Sequence, residues 1–282
     1  MDNAFRVRLR SAFKQMFHLM LGRLGIRCFR EHSFFGTLLP RPAVVADFGA
    51  HRGEFFAALK SEYLISRALL VEADPALAES LQQTFRNEAD VLHAALVGEN
   101  RGTTVVFTRS FHPEASSIFS EAVYSLANQF EVPTVDFAEA LRRLGGRIDL
   151  AKLDIEGAEI EVLQTAHTSD LAACGQLSVE LHDKSHQITR RAYKRLRSEG
   201  YGVVNANWPF ANDMLFVNLR HFAASRRLRF RCRMAVVNTL FVLRGAFFCS
   251  IRWIKKIRSK PFEAKIYTGR TGNHLITERE DR

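Results

Sequence analysis

The sequence predicts an α/β domain built on a mostly parallel sheet with helices on both faces. Three observations carry this. Between residues 41 and 219, short apolar runs alternate with amphipathic stretches, the pattern of strands buried on both faces and of the helices that cover them. The first apolar run ends in a glycine turn, Asp47-Phe48-Gly49-Ala50-His51-Arg52-Gly53, which opens into an amphipathic stretch. The chain of 282 residues, 47% hydrophobic and 25% charged, is long enough for one sizeable domain with extensions and too polar for a polytopic membrane protein. Four scattered cysteines (Cys28, Cys174, Cys232, Cys249) form no CxxC pair, which argues against a zinc site or disulfide framework and for a reducing, cytoplasmic setting.

The elements follow in chain order. Segment 1–30 holds a basic amphipathic helix over 5–24, in which Phe5, Leu9, Phe13, Met16, Phe17, Met20, Leu21 and Leu24 recur at helical spacing. Arg6, Arg10, Lys14 and Arg23 lie mostly off that stripe, and no uncharged core with a cleavage site follows, so a secretory signal is not expected. The apolar face can cover the domain or lie on a membrane surface. The domain, 31–219, offers seven strands, at 44–48, 68–72, 91–95, 149–154, 177–182, 202–205 and 214–218. Helices are expected at 53–62, 76–87, 136–144, 157–166 and 188–199, and an additional strand at 103–107 is expected to pair with the third strand.

Segment 220–258 is a second basic and apolar extension. Its stretch 234–251 resembles a membrane span, but Arg244 stands in the middle. A central Arg costs about 2.5–3.5 kcal/mol on insertion scales, against about 0.3–0.6 gained per Leu, Ile, Phe or Val. An interfacial segment interrupted near Gly245 is therefore expected, or a helix packed on the core or on a second subunit. Residues 259–282 read as a loose polar tail. Charge divides in the same way: 31–219 holds 17 basic against 25 acidic residues, and the flanks hold 23 against 5. An acidic core with basic ends points to anchoring by the ends, peripherally at an anionic membrane. It speaks against nucleic acid, whose phosphates would have to be neutralised at the active site.

Glycines at 49 and 53 allow a tight turn in which backbone approaches a ligand. Glu72 ends the next strand, where a carboxylate can accept hydrogen bonds from both hydroxyls of a ribose. The turn lacks the three-glycine pattern that admits a pyrophosphate, which favours a nucleoside without phosphates, S-adenosylmethionine being the usual one. Asp47 would meet its amino group, Ala50 and His51 belong to the same turn, and Ala94 and Ala95 would line the adenine. A second constellation is Lys152-Leu-Asp154-Ile-Glu156-Gly157-Ala-Glu159-Ile-Glu161. Glu159 and Glu161 suit the first turn of a helix, whereas Asp154 and Glu156 stand at the carboxyl end of a central strand, where open α/β sheets place their ligands.

Together, DFGAHRG at 47–53 and KLDIEGAEIEVL at 152–163, in that order, resemble the FkbM family of S-adenosylmethionine-dependent methyltransferases. Glu72-Ala-Asp74-Pro75 and the Glu-x-His at 180–182 are similar to the family as well. The resemblance covers about 40–219 and leaves the basic flanks unexplained. It implies a class I, Rossmann-like methyltransferase fold and O-methylation of a hydroxyl on a sugar, glycolipid or secondary metabolite. The motif for methylating planar nitrogens is absent, with Asp154-Ile-Glu-Gly in its place.

A hydroxyl needs a base before it attacks. The candidates are His182, Asp154, Glu156 and Glu180, with His182 favoured because its ordinary pKa lies nearest neutrality. Asp154, Glu156 and His182 could chelate a divalent ion, but no dedicated ligand spacing exists and no metal is expected. Alternation places Lys152 and Glu180 on one face of neighbouring strands, so they are expected to form a buried pair. Two other readings stay open: an RNA ribose methyltransferase held by its basic ends, and a non-catalytic scaffold of the same fold at a membrane surface.

Overall fold

A computed structural model describes residues 3–30, 32–99, 101–108, 129–182, 186–205 and 213–258. Helix α1 (Asn3–Arg23) leads into a hairpin of β1 (Ile26–Phe29) and β2 (His32–Phe35). Then come β3 (Ala43–Phe48), α2 (Glu54–Glu62), β4 (Ile65–Glu72), α3 (Pro75–Thr84), β5 (Asp90–His93), β6 (Ala95–Leu96), β7 (Thr104–Thr108) and β8 (Gln129–Val135). The chain continues through α4 (Phe137–Arg143), β9 (Leu150–Leu153), α5 (Glu159–Thr165), α6 (Thr168–Ala172), β10 (Gln176–Glu180), α7 (His186–Ser198), β11 (Tyr201–Asn205), β12 (Asp213–Asn218) and α8 (Ala224–Arg258).

All seven expected strands share one sheet, in the order β11-β12-β10-β9-β3-β4-β5. Only β12 runs antiparallel to its neighbours. This seven-stranded, mostly parallel sheet is the class I methyltransferase fold. Chain order reverses between β3 and β9, so the carboxyl ends of these two strands flank the switch point at which such sheets bind ligands.

Strand periodicity divides the core. Ala46, Phe48, Leu69, Val71, Ala151 and Leu153 point to the face covered by α4, α5 and α7. Val45, Leu150 and Leu215 point to the other face, where Phe17 and Leu21 of α1, Phe34 and Phe35 of the hairpin, Phe55 of α2 and Phe230 and Met234 of α8 cover them. The buried amide of Gln176 ties the hairpin to β10: its Oε1 accepts from Phe35 N at 2.8 Å, and its Nε2 donates to Phe35 O at 3.2 Å.

The structure corrects three expectations. Strand β7 pairs with β8, not with the third strand; β6 joins β8 from the other side, so the run 91–95 is split between two sheets. The apolar segment is not interrupted near Gly245: α8 passes through it as helix. Gly245 is buried, on the same side as Val237 and Phe241, and it has no left-handed φ that would end the helix. The third correction, the partner of Lys152, concerns the floor of the site.

The chain falls into two units, 1–245 and 246–282. In the first, Phe17 of α1 meets Phe241 of α8 edge to face at 5.3 Å, and the Arg244 guanidinium lies over the Phe17 ring at 5.3 Å. The second holds the end of α8. Among the described residues no helix is long and apolar enough to cross a membrane.

Candidate active site

A cleft of about 860 Å³ opens at the carboxyl ends of β3, β4, β9 and β10. One side is the glycine turn. Gly49 has φ +73°, and a Cβ built there would lie 1.8 Å from Asp154 O, so only glycine lets the turn pass this close to the end of β9. His51 follows with φ +50°, a backbone state that non-glycine residues seldom adopt. That conformation aims its N–H at Glu72 Oε2, 2.7 Å away, while Asp74 N donates to Glu72 Oε1 at 2.9 Å. Each Glu72 oxygen keeps acceptor capacity, the carboxylate lines the cleft, and burial pushes its pKa up. Ala50, His51, Ala94 and Ala95 line the same wall.

Two residues of the expected cofactor set stand back from the wall. Gly53 caps α2 in the left-handed region, with a Cβ position 2.3 Å from the Phe85 ring, so it serves the packing of the turn on α3. Asp47 is fully buried, and neither of its oxygens has a hydrogen-bond partner among the described residues. Its charged neighbour is Lys152, whose Nζ lies 3.4 Å from Asp47 Oδ1 and 3.3 Å from Asp154 Oδ2 and donates to Gly49 O at 2.7 Å.

The expected Lys152–Glu180 pair is thus replaced by Lys152 with Asp47 and Asp154. Lys152 and Glu180 do share a face, as the alternation required. The register, however, sets Asp47 directly opposite Lys152 on one side and Ser178 on the other. Burial works against the Lys152 charge, but Asp47 and Asp154 outweigh it and hold the ammonium's pKa above its usual value. Burial likewise opposes ionisation of Asp154, yet His32, Lys152 and His182 keep its carboxyl well below the ordinary range.

The other side of the cleft is acidic. Glu156 sits in the left-handed turn after β9 at φ +55°, and His182 follows β10. His182 Nε2 lies 3.2 Å from Glu156 Oε2, 3.8 Å from Glu180 Oε1 and 3.9 Å from Asp154 Oδ1. Its Nδ1 lies 2.9 Å from Oε1 of Glu159, a fully buried carboxylate that also accepts from Ile155 N at 3.0 Å and Gly157 N at 3.1 Å. Burial disfavours the imidazolium, but Glu159, Glu156 and Asp154 prevail and push the His182 pKa up to about 9. Burial is the main cause that raises Glu156 to about 7. The ordinary pKa that favoured His182 in the sequence is therefore not the one its surroundings impose.

Sequence reasoning missed two functional groups. Glu159 was legible only as a helix-start acid, although its i+4 relation to Ile155 allowed the loop to fold back onto it. His32 is 3% exposed, lines the cleft from β2 and places Nε2 3.4 Å from Asp154 Oδ2. The short hairpin carrying His32 gave no periodic signal.

A family model, the methyltransferase FkbM domain, matches residues 47–203. The chain belongs to the FkbM methyltransferase family. The match runs from Asp47 to Val203 and so includes Glu72, Lys152, Asp154, Glu159 and His182. No curated protein matches the chain. Among solved structures, it is similar to methyltransferase FkbM from Methylobacillus flagellatus, with 17% identity and a TM-score of 0.47, covering 68% of this chain and 48% of that one. It thus spans about half the length of that relative. It is also similar to precorrin-6y C5,15-methyltransferase from Geobacter metallireducens (13% identity, TM-score 0.36, 64% of this chain and 80% of that one). A third is TrmK of M. capricolum in complex with S-adenosylhomocysteine (8% identity, TM-score 0.37, 68% of this chain and 70% of that one).

The FkbM family implies S-adenosylmethionine as methyl donor, and the residues present fit it. The backbone cradle at Gly49, the Glu72 carboxylate with acceptor capacity in the cleft, and the small side chains of Ala94 and Ala95 suit a nucleoside that brings no phosphate.

Proposed function

We propose that this FkbM-family protein methylates a hydroxyl on a glycan, glycolipid or secondary metabolite, with S-adenosylmethionine as donor. One observation carries the reading: a single cleft joins a nucleoside-binding wall, centred on Glu72, to an end where Glu156, Glu180 and His182 face the same space. When bound, the donor supplies an electrophilic methyl group. Glu72 would hold the ribose hydroxyls, with the glycine turn beneath. At the other end the chain must hold an acceptor oxygen in line and receive its proton. Glu156, which burial raises to about 7, would receive it, and His182, held charged by Glu159, Glu156 and Asp154 with its ring fixed by Glu159, would face the acceptor end as a hydrogen-bond donor through Nε2.

The test is to incubate the full chain with deuteromethyl-labelled donor and cell extract and to find the labelled species by mass spectrometry. The reading expects the label on a hydroxyl of a glycan, lipid or small metabolite. Label on RNA ribose would establish the alternative acceptor, and no labelled product would leave the scaffold reading.

We also infer that the ends of the chain hold the protein against an anionic membrane surface. Helix α8 buries Phe230, Met234, Val237 and Phe241 and exposes Leu228, Val236, Val242 and Leu243 elsewhere on its surface. Helix α1 exposes Met16, Leu19 and Met20. Arg226, Arg227, Arg229 and Arg231, all exposed, supply the matching charge.

A further inference from the structure

We propose that His32 is a positioning residue for methyl transfer: with Lys152 it clamps one oxygen of Asp154 and so aims the other at the acceptor end of the cleft. His32 belongs to the hairpin strand β2 and lies outside the matched family residues 47–203. The role rests on the function proposed above for that end of the cleft, and His32 reaches it only through Asp154.

The hairpin leaves the ring little room to turn. All four residues of β2 are buried. The Gln176 amide bonds both backbone groups of Phe35 and sets β2 against β10. Phe34 and His32 then meet the Phe55 ring of α2 edge to face, at 6.3 Å and 5.7 Å. The His32 side chain is 3% exposed and places Nε2 3.4 Å from Asp154 Oδ2. An ionised carboxylate can only accept, so Nε2 carries the hydrogen. Nδ1 has no hydrogen-bond partner among the described residues. Burying an imidazole with one nitrogen unpaired costs free energy that an apolar side chain against Phe55 would avoid. What the imidazole contributes instead is its contact with a residue of the cleft.

Lys152 Nζ stands 3.3 Å from the same Oδ2. With both donors there, Oδ1 is left on the side of His182, 3.9 Å from Nε2. The titratable and charged groups that face Asp154 are His32 of β2, Asp47 of β3, Lys152 of β9, Glu156 in the turn after it, Glu180 of β10 and His182. Burial opposes the Asp154 charge, and His32 offsets that burial more than Lys152 or His182 does. Asp154 therefore takes no proton from the acceptor. It supplies a fixed negative oxygen that helps to keep His182 charged. Placement decides its value, because an error of about 1 Å in a site group can cost about 100-fold in rate.

The experiment has two arms, both on the full chain. In the first, the Asp154 carboxyl is followed over pH by carbon NMR of aspartate-labelled protein, its signal assigned by its loss in Asp154→Asn. The wild type should show no midpoint down to about pH 3, below the ordinary aspartate range. His32→Leu keeps apolar packing on Phe55 but removes the donor, so the midpoint should rise into that range; His32→Gln restores an N–H donor and should lower it again. An unchanged midpoint in His32→Leu, or a His32→Gln that titrates like His32→Leu, overturns the clamp. Should His32→Leu fail to fold, His32→Asn, whose shorter amide stops short of Oδ2, takes its place. In the second arm, kinetics with the acceptor that the labelled donor identifies should show kcat lowered about 10- to 100-fold in His32→Leu, donor KM changed less than about threefold, and kcat largely regained in His32→Gln. An unchanged kcat, or a loss confined to KM, overturns the positioning role. A wild type that transfers no methyl group overturns the proposed function instead, and the carboxyl titration by itself then decides the clamp.

Discussion

Lys152 fixes the charge beneath the cleft, its ammonium set between the carboxylates of Asp47 and Asp154. Replacing it with Met leaves Asp47 and Asp154 without their ammonium and should cost about 3–5 kcal/mol, a fall of the order of 10 °C in Tm for a domain of this size. Glu180→Gln, which would be equally harmful if Glu180 were the partner, should leave Tm almost unchanged. Thermal unfolding of both variants checks this, and the opposite ranking would contradict the described register. Alternation told which residues share a face; it could not tell which stand opposite, because register depends on how neighbouring strands slide. Cys174 gives a second check at this scale. It is buried, and burial pushes its thiol up to about 12, so it holds almost no thiolate at mildly alkaline pH. Maleimide labelling of the folded protein should modify the exposed Cys28 and Cys232 and spare Cys174 until denaturant is added.

At the scale of elements, the turn after β3 and the helix pair α1–α8 make opposite demands. The turn needs a missing side chain. Gly49→Ala would drive a methyl group into the Asp154 carbonyl at a left-handed φ, whereas Gly102, at φ +91°, has nothing within 4 Å of its Cβ position. Gly102→Ala should therefore show only the strain of its φ, about 1–2 kcal/mol, and Gly49→Ala distinctly more; denaturant titration of both checks the ranking. The helix pair needs a present side chain: Phe241→Ala should cost about 3–5 kcal/mol. The seven sheet strands were legible because buried parallel strands are nearly continuous apolar runs. Strand β8 was not, because its Glu131 and Pro133 break the apolar pattern and its partners β6 and β7 are short. The hairpin β1–β2 escaped for a similar reason: two strands of four residues are too short to show a period.

For the whole molecule, the division into an acidic core and basic ends was legible from charge alone, and two motifs carried the family. How Glu159 meets His182 and how His32 meets Asp154 was not, because these side chains come from α5, the end of β10, the N-terminal hairpin and the end of β9, brought together only by folding. The basic end has its own test. At about 1 kcal/mol per basic residue near an anionic surface, changing Arg226, Arg227, Arg229 and Arg231 to Gln should cost about 4 kcal/mol of membrane binding, roughly a thousandfold. Co-sedimentation of the full chain with phosphatidylserine vesicles measures it, and equal pelleting of variant and wild type would remove the anchor. Every role proposed for the cleft depends on Glu72 holding the donor. The most direct measurement is calorimetric titration of the wild type and Glu72→Ala with S-adenosylhomocysteine. One site is expected in the wild type, and a loss of about 1.5–3 kcal/mol, roughly 10- to 150-fold, in the variant. No binding to the wild type, or equal affinity in the two proteins, would contradict it.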